Sequence, residues 1–383
     1  MNSPARWGTW KRIFVISAAL LFLGLVGLGI LVATEWTYIR RLRHFQAQRP
    51  TPPEWFEPKE IVRGAPIPRV LRRTTPQEAG ISTNTTEKAL ETAIAGKALS
   101  LLIARDGAIV SEYYAPDHGP DKWSDSASMM KTVTALLSGM AIAEGHIKSR
   151  DEPAATYLPA WRRDGRAKIT IRHLLQMHSG LRPEGKYEDP FSDACYLALG
   201  TDARYIVEGC PLVTAPGSRY DYNNVNYQAL GLVLEAATGR RYAQYLSEKL
   251  WIPVGNSDAA VWLDKKDGQA RTFGFLFARA HDWLRLGQLV LDRGRVGDRQ
   301  LVPADWIDFM CTPSPTEPTY GAGLYTGIDS KEDQPFPYAG VVAFNGKDKQ
   351  RVYVLPKERL LILRVGPQVR KWDDGYFPNL FAR

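Results

Sequence analysis

Two runs of β-forming residues flank a single Asp-Gly step, Leu101-Leu102-Ile103-Ala104-Arg105 before it and Ala108-Ile109-Val110-Ser111-Glu112-Tyr113-Tyr114 after it. Asp106-Gly107 between two such runs is the strongest local hairpin signal, because a two-residue turn needs left-handed backbone that Asp tolerates and Gly adopts freely. A lone hairpin is marginal in water and must find more strands. The next runs of this kind lie near the other end of the chain, at 338–344, 350–355 and 360–365, the last two joined by Pro356-Lys357-Glu358-Arg359. Between the two ends the pattern is helical, over 132–144, 171–177, 227–238 and 280–293, and polar caps open a further helix over 82–95. The chain therefore predicts an α/β (α+β) fold: an antiparallel sheet built from both termini, flanked by helices and interrupted by a mostly helical insertion. The globular body is placed at 75–383, with 75–130 and 300–383 forming the sheet part and 131–299 the helical part.

Residues 13–33 carry no charge and are almost wholly apolar. About 20 such residues suffice to cross a bilayer as a helix. A cleaved signal peptide has a shorter apolar region and a small-residue cleavage site, which Val-Ala-Thr-Glu-Trp does not supply. The expectation is an uncleaved single-pass anchor, with 1–12 as a cytoplasmic tail. On this reading the chain sits in the inner membrane with its catalytic domain periplasmic, and Trp36 and Tyr38 lie at the interface. Residues 34–74, basic and proline-rich around Arg49-Pro50-Thr51-Pro52-Pro53, read as an extended spacer.

The net charge of +8 suggests at first a nucleic-acid binder, but its distribution excludes that. Arg6, Lys11 and Arg12 stand unopposed in 1–33, and 34–73 holds nine basic against four acidic residues, so the excess lies outside the body. Cys195, Cys210 and Cys311 are too few for a disulfide scaffold; the first two could pair outside the cytoplasm or remain buried thiols. His173 and His178 are five apart, off ligand spacing on a helix, and neither zinc-site nor phosphate-loop motifs occur. A cofactor-independent chemistry is expected.

Ser128-Met129-Met130-Lys131 opens an apolar helical run, so serine and lysine share one face of its first turn. A serine hydroxyl attacks only when a neighbour takes its proton, and a lysine whose pKa burial lowers can do that. Taken alone, the four residues read equally as a helix start with a capping serine and a solvated lysine. Two further features stand downstream. Tyr222-Asn223-Asn224 is the one Tyr-x-Asn of the chain and precedes the helix at 227, and Asn345-Gly346-Lys347-Asp348-Lys349-Gln350 leads into the strand at 350.

This order, Ser-x-x-Lys, then Tyr-x-Asn, then Gly-Lys on a late strand, resembles the class C β-lactamase and penicillin-recognising serine hydrolase family. The stretches Leu174-Leu175-Gln176-Met177-His178-Ser179-Gly180 and Ala278-Arg279-Ala280-His281-Asp282-Trp283-Leu284-Arg285-Leu286-Gly287 are similar to two of its connecting helices, and the resemblance covers roughly 75–366. Tyr187-Glu188-Asp189-Pro190-Phe191-Ser192-Asp193 is similar to a loop of the branch that includes 6-aminohexanoate-dimer hydrolase and related carboxylesterases.

The resemblance implies Ser128 as acyl-accepting nucleophile, Lys131 as holder of the hydrogen-bond network, and Tyr222, its pKa lowered by nearby ammonium groups, as base. It implies Asn224 as a residue orienting substrate or Lys131, Lys347 as the first position of the third motif, and Tyr187 as a contact to the scissile amide. The backbone N–H groups of Ser128 and Gln350 would form the oxyanion hole. One departure stands out: Lys349 occupies a position where the family has glycine beside the substrate, and a side chain there would narrow the cleft. The expected activity is hydrolysis of a small-molecule or peptide amide or ester through an acyl-serine. The alternatives are a penicillin-binding D,D-carboxypeptidase or β-lactamase, and a non-catalytic penicillin-binding-like envelope sensor.

Overall fold

The computed structural model describes residues 5–47, 51–328, 330–367, 369 and 372–382. In chain order its strands are β1 (Lys59–Val62), β2 (Arg72–Arg73), β3 (Ser100–Arg105), β4 (Ala108–Tyr114), β5 (Ser124–Asp125), β6 (Ala259–Trp262) and β7 (Leu276–Ala278). A small hairpin, β8 (Arg295–Val296) and β9 (Arg299–Gln300), is followed by β10 (Val342–Gly346), β11 (Gln350–Leu355) and β12 (Leu360–Val365).

Asp106 at φ 50° and Gly107 at φ 73° make the left-handed turn their sequence calls for, and β3 and β4 pair across it. The other edge of β3 pairs antiparallel with β12, from Leu360 opposite Arg105 to Val365 opposite Ser100. The two ends of the body thus meet in one sheet of order β10-β11-β12-β3-β4-β2. Both faces are covered, as the alternation of side chains requires. Leu102, Ala104, Val352, Val354, Leu361 and Leu363 face the main core, while Leu101, Ile103, Tyr353, Leu355, Leu360 and Ile362 face a smaller one. Ala89 and Ala93 of the Thr83–Ala95 helix and Phe377 and Phe381 of the last helix close the smaller core. On the main side the Ala280–Leu291 helix lies so close to the sheet that a Cβ on Gly287 would stand 2.9 Å from Val352 Cγ1. That helix therefore belongs with the sheet, although its sequence position assigns it to the helical part.

A second sheet, β1-β6-β7-β5, lies beside the helical part. At the centre the Met130–Ala143 helix is buried from Met130 to Ala141 and packs on the equally buried start of the Asn224–Thr238 helix. The strand expected over 338–344 begins only at Val342, because Gly340 turns the chain at φ 103°. Cys195 and Cys210 are free buried thiols.

The N-terminal expectations need correction. A helix runs Ala5–Thr34, yet among the described residues no helix is long and apolar enough to cross a membrane. The single-pass anchor at 13–33, the inner-membrane placement and the periplasmic side assigned with it are overturned by this finding. Residues 1–4 of the expected tail lie outside the described residues.

The expected spacer is also more than a tether. Residues Trp36–Ala47 form a helix whose Tyr38, Arg41, Leu42 and Phe45 recur at helical spacing and pack on the body. Arg41, 3% exposed, donates from Nη1 to the carbonyls of Leu199 (3.1 Å), Gly200 (3.0 Å) and Asp264 (2.8 Å), and from Nη2 to that of Glu57 (3.0 Å). Its guanidinium stacks 4.9 Å from the Trp262 ring centroid. Tyr38 stacks on Tyr196 at 4.3 Å, its hydroxyl against the Pro190 carbonyl. Proline and charge counts hid this stripe, since four anchoring residues among many polar ones leave composition unchanged. Removing Arg41 takes a donor from four carbonyls, of which Gly200 keeps Arg271 and Glu57 keeps Trp262, so Arg41→Ala should lower unfolding free energy by about 3 kcal/mol. The exposed neighbour variant Arg40→Ala should change it by less than about 0.5 kcal/mol. Thermal and urea midpoints of the two variants check this.

Candidate active site

β5 delivers the chain to Ser128. Ser126 is clamped to β7, its N–H donating to the Leu276 carbonyl (2.9 Å) and its Oγ accepting from the Leu276 N–H (3.0 Å). Ala127 then takes a left-handed φ of 44°, its N–H donating to Asp125 Oδ1 at 2.9 Å. A non-glycine residue holds that backbone only when its surroundings fix it, and it turns the chain sharply into the buried helix. Gly346 at the end of β10 makes the approach from the other side, where a Cβ would stand 2.5 Å from the Ser126 carbonyl oxygen. Ser128 sits in the short Ala127–Met129 turn that leads directly into the Met130–Ala143 helix, so Lys131 falls one turn later, as the spacing requires.

Lys131 is 2% exposed. Its Nζ lies 2.8 Å from Ser128 Oγ and 2.8 Å from the Phe273 carbonyl oxygen, and 4.9 Å from the Tyr222 ring centroid. Burial pulls the ammonium pKa well below its ordinary value, against an opposing pull from the Glu184 carboxylate. Glu184 shows the mirror image: burial pushes its carboxyl up, and Lys131 draws it back. Two buried opposite charges that both lean toward neutrality titrate as one unit.

Glu184 is the residue that sequence reasoning missed. Its carboxylate accepts from the Asn224 N–H (2.9 Å) and from Asn224 Nδ2 (2.7 Å), which places it on the N-terminus of the Asn224–Thr238 helix, where a negative charge is favoured. Asn224 Nδ2 also donates to the Tyr187 hydroxyl at 2.9 Å, while its Oδ1 is buried without a partner among the described residues. Only a folded loop brings residue 184 beside residue 131, so no local pattern announces it. Asp125 is a second omission; its carboxyl lines the cavity and burial raises it to about 7, with Asp348 adding to the rise.

The structure brings Ser128, Tyr222, Asn224, Tyr187, Lys347 and Gln350 onto one cavity of about 550 Å³, with Lys131 buried beneath Ser128. Two details differ from the implied roles. Burial raises the Tyr222 phenol above its ordinary value and outweighs the lowering by its hydrogen bond with Ser128, so the expected lowering does not arise. The Gln350 N–H, expected in the oxyanion hole, donates to the Lys347 carbonyl, and the Gln350 side chain makes a reciprocal pair with Gly366 at 2.9 and 3.1 Å. The Lys347 Nζ stands 5.3 Å from the Tyr187 ring centroid. Asp348 and Lys349 adopt φ of 60° and 61°, a glycine-like turn without glycine. Lys349 does not narrow the cleft, because its Nζ pairs with Asp374 at 2.9 Å.

Comparison with known proteins agrees with this geometry. Residues 85–364 match the Beta-lactamase family. The 6-aminohexanoate-dimer hydrolase of Paenarthrobacter ureafaciens is 25% identical over 220 residues, 55% of this chain and 56% of that protein, so the match spans little more than half of that relative's length. Among solved structures, a penicillin binding protein from Bacillus halodurans superposes with a TM-score of 0.59 at 19% identity, covering 76% of this chain and 98% of that one. A D-stereospecific amidohydrolase from Streptomyces sp. does so with a TM-score of 0.54 at 23% identity, covering 74% and 94%. With a buried lysine in contact with a serine that lines the cavity, and with residues 85–364 matched, the chain belongs to the Beta-lactamase family.

Proposed function

We propose that the protein hydrolyses an amide or ester bond of a small molecule or peptide through an acyl-serine intermediate on Ser128. The observation that carries this reading is the 2.8 Å contact of a desolvated Lys131 Nζ with Ser128 Oγ. A neutral Lys131 accepts the Ser128 hydroxyl proton as Oγ attacks the substrate carbonyl carbon. When the tetrahedral intermediate collapses, the bond to the leaving nitrogen or oxygen breaks and that atom takes up a proton from Lys131. Tyr222, kept as a phenol by burial, hydrogen-bonds Ser128 and passes this proton rather than starting the reaction as a base. Water then attacks the acyl carbon and gives a proton to Lys131; the bond to Ser128 Oγ breaks, Oγ takes that proton, and Lys131 is neutral again. Asn224 and Tyr187 hold Glu184 and the substrate side of the cavity in place. The Paenarthrobacter relative is named for hydrolysing a dimer of an amino acid, which supports an amide bond, and no cofactor enters the scheme.

A fluorophosphonate probe should label the wild type and leave Ser128→Ala unlabelled, with hydrolysis of any substrate falling at least about 10,000-fold. Equal labelling of both proteins would sink the reading. A fluorescent penicillin applied in parallel separates the alternatives: Ser128-dependent penicillin labelling favours the cell-wall reading, and probe labelling alone favours an amidase or esterase.

A second expectation concerns pH. The Glu184 carboxylate stabilises the Lys131 ammonium, so a neutral group at 184 lets the amine persist to lower pH. In Glu184→Gln the acid limb of kcat/KM should move down by about one pH unit. A limb that stays in place would show that Glu184 does not set the protonation of Lys131.

A further inference from the structure

The cavity at Ser128 is not closed by the body alone. Phe45 and the Thr51-Pro52-Pro53 stretch line it from the N-terminal side, and Phe56 lies at its back, 2% exposed. Their position is fixed on both sides. Upstream, Arg41 and Tyr38 fasten the Trp36–Ala47 helix to four backbone carbonyls and to Tyr196. Downstream, Phe56 packs edge-on against Trp262 at 4.9 Å and tilted against Phe277 at 5.0 Å. His44 and Trp55, at either end of the intervening stretch, stack on each other at 4.3 Å with their planes 7° apart. A segment that served only as a tether would need none of these contacts.

At the cavity rim three distant parts of the chain meet around one ammonium group. Lys347 Nζ stands 5.9 Å from the Phe45 ring centroid and 5.3 Å from that of Tyr187, within the range of a cation–π contact on both sides. Phe45 comes from the N-terminal helix, Tyr187 from the loop before the Asp193–Leu199 helix, and Lys347 from the turn between β10 and β11. The three side chains form one contiguous section of the cavity wall. Resting on the acyl-serine reading above, we propose that Phe45 is a specificity-determining residue: this wall selects compact apolar esters or amides, with short or aryl groups, against extended chains and polymer strands.

A cavity of about 550 Å³ holds a small molecule whole. A polymer strand needs a groove open at both ends, and here an anchored aromatic ring belongs to the wall. Because that section of wall is one aromatic side chain, enlarging or shrinking it changes the length of chain admitted, with little demand on the rest of the fold.

The test uses the full chain as wild type, Phe45→Ala, Phe45→Leu and Phe45→Trp, with Arg40→Ala as a control on the exposed face of the same helix. The kcat/KM is read on p-nitrophenyl esters from acetate to decanoate, and on acetates of alcohols of increasing length. Phe45→Ala should raise the ratio of longest to shortest substrate at least about tenfold on one of the two series, Phe45→Leu by less, and Phe45→Trp should lower it. Arg40→Ala should keep the wild-type ratio. Thermal midpoints identify variants that retain the fold, and Phe45→Leu and Phe45→Trp carry the test if Phe45→Ala does not. An unchanged ratio on both series in every folded Phe45 variant, with Ser128 still labelled by fluorophosphonate, overturns this inference alone. Absence of Ser128 labelling in the wild type overturns the acyl-serine reading instead. Release of sugar-linked peptides from intact cell-wall polymer by the wild type would contradict the selectivity directly.

Discussion

A lysine amine held out of water against a serine hydroxyl is the constraint around which this structure is arranged. Lys131 reaches Ser128 because Ser128 sits in the short turn that leads into the helix carrying Lys131, every residue of which from Met130 to Ala141 is buried. The same burial that fixes the geometry weakens the charge, since a desolvated ammonium is unfavourable unless a counter-charge restores it. The counter-charge is Glu184, itself buried and itself weakened, and it is held by the amide groups of Asn224. Tyr222, Asn224 and Glu184 therefore form one unit with Lys131. The unit lies where the helical part meets the β5 edge and the end of β10, which is where an interrupted sheet leaves room for a cavity.

The N-terminal segment changes what that cavity is. Arg41 places a guanidinium against four carbonyls and an indole ring, a hydrogen-bonding arrangement that no exposed spacer supports. Phe45, one turn further on, then lines the cavity. On the proposed reading the reacting groups come from the middle of the chain and Phe45 from its N-terminal helix, so they meet only after folding, and specificity and stability share one anchor.

What was legible in the sequence follows the range of the interactions. Asp106-Gly107 with its flanking runs, the Ser128 to Lys131 turn and the Ser82 cap of the Thr83–Ala95 helix are local, and each forms where its residues call for it. The antiparallel sheet from both ends was legible because β3 and β12 are both apolar and lie at opposite ends of the body. Glu184, Asp125 and Phe45 were not, because each matters only through a partner far away in sequence. The Asp348-Lys349 turn was half legible: a glycine-like backbone is needed there, and two non-glycine residues adopt it, with Lys349 drawn outward by Asp374. The apolar run at 13–33 misled: it is helical, yet among the described residues no helix is long and apolar enough to cross a membrane.

The central claim is that Ser128 becomes acylated during turnover. Rapid mixing with an excess of an activated ester, followed by acid quench and peptide mass analysis, reads this directly. The account predicts a burst approaching one equivalent of leaving group per chain, with the acyl mass on the peptide that contains Ser128 and on no other. Hydrolysis with no acyl adduct, or with the adduct on a different residue, would contradict it.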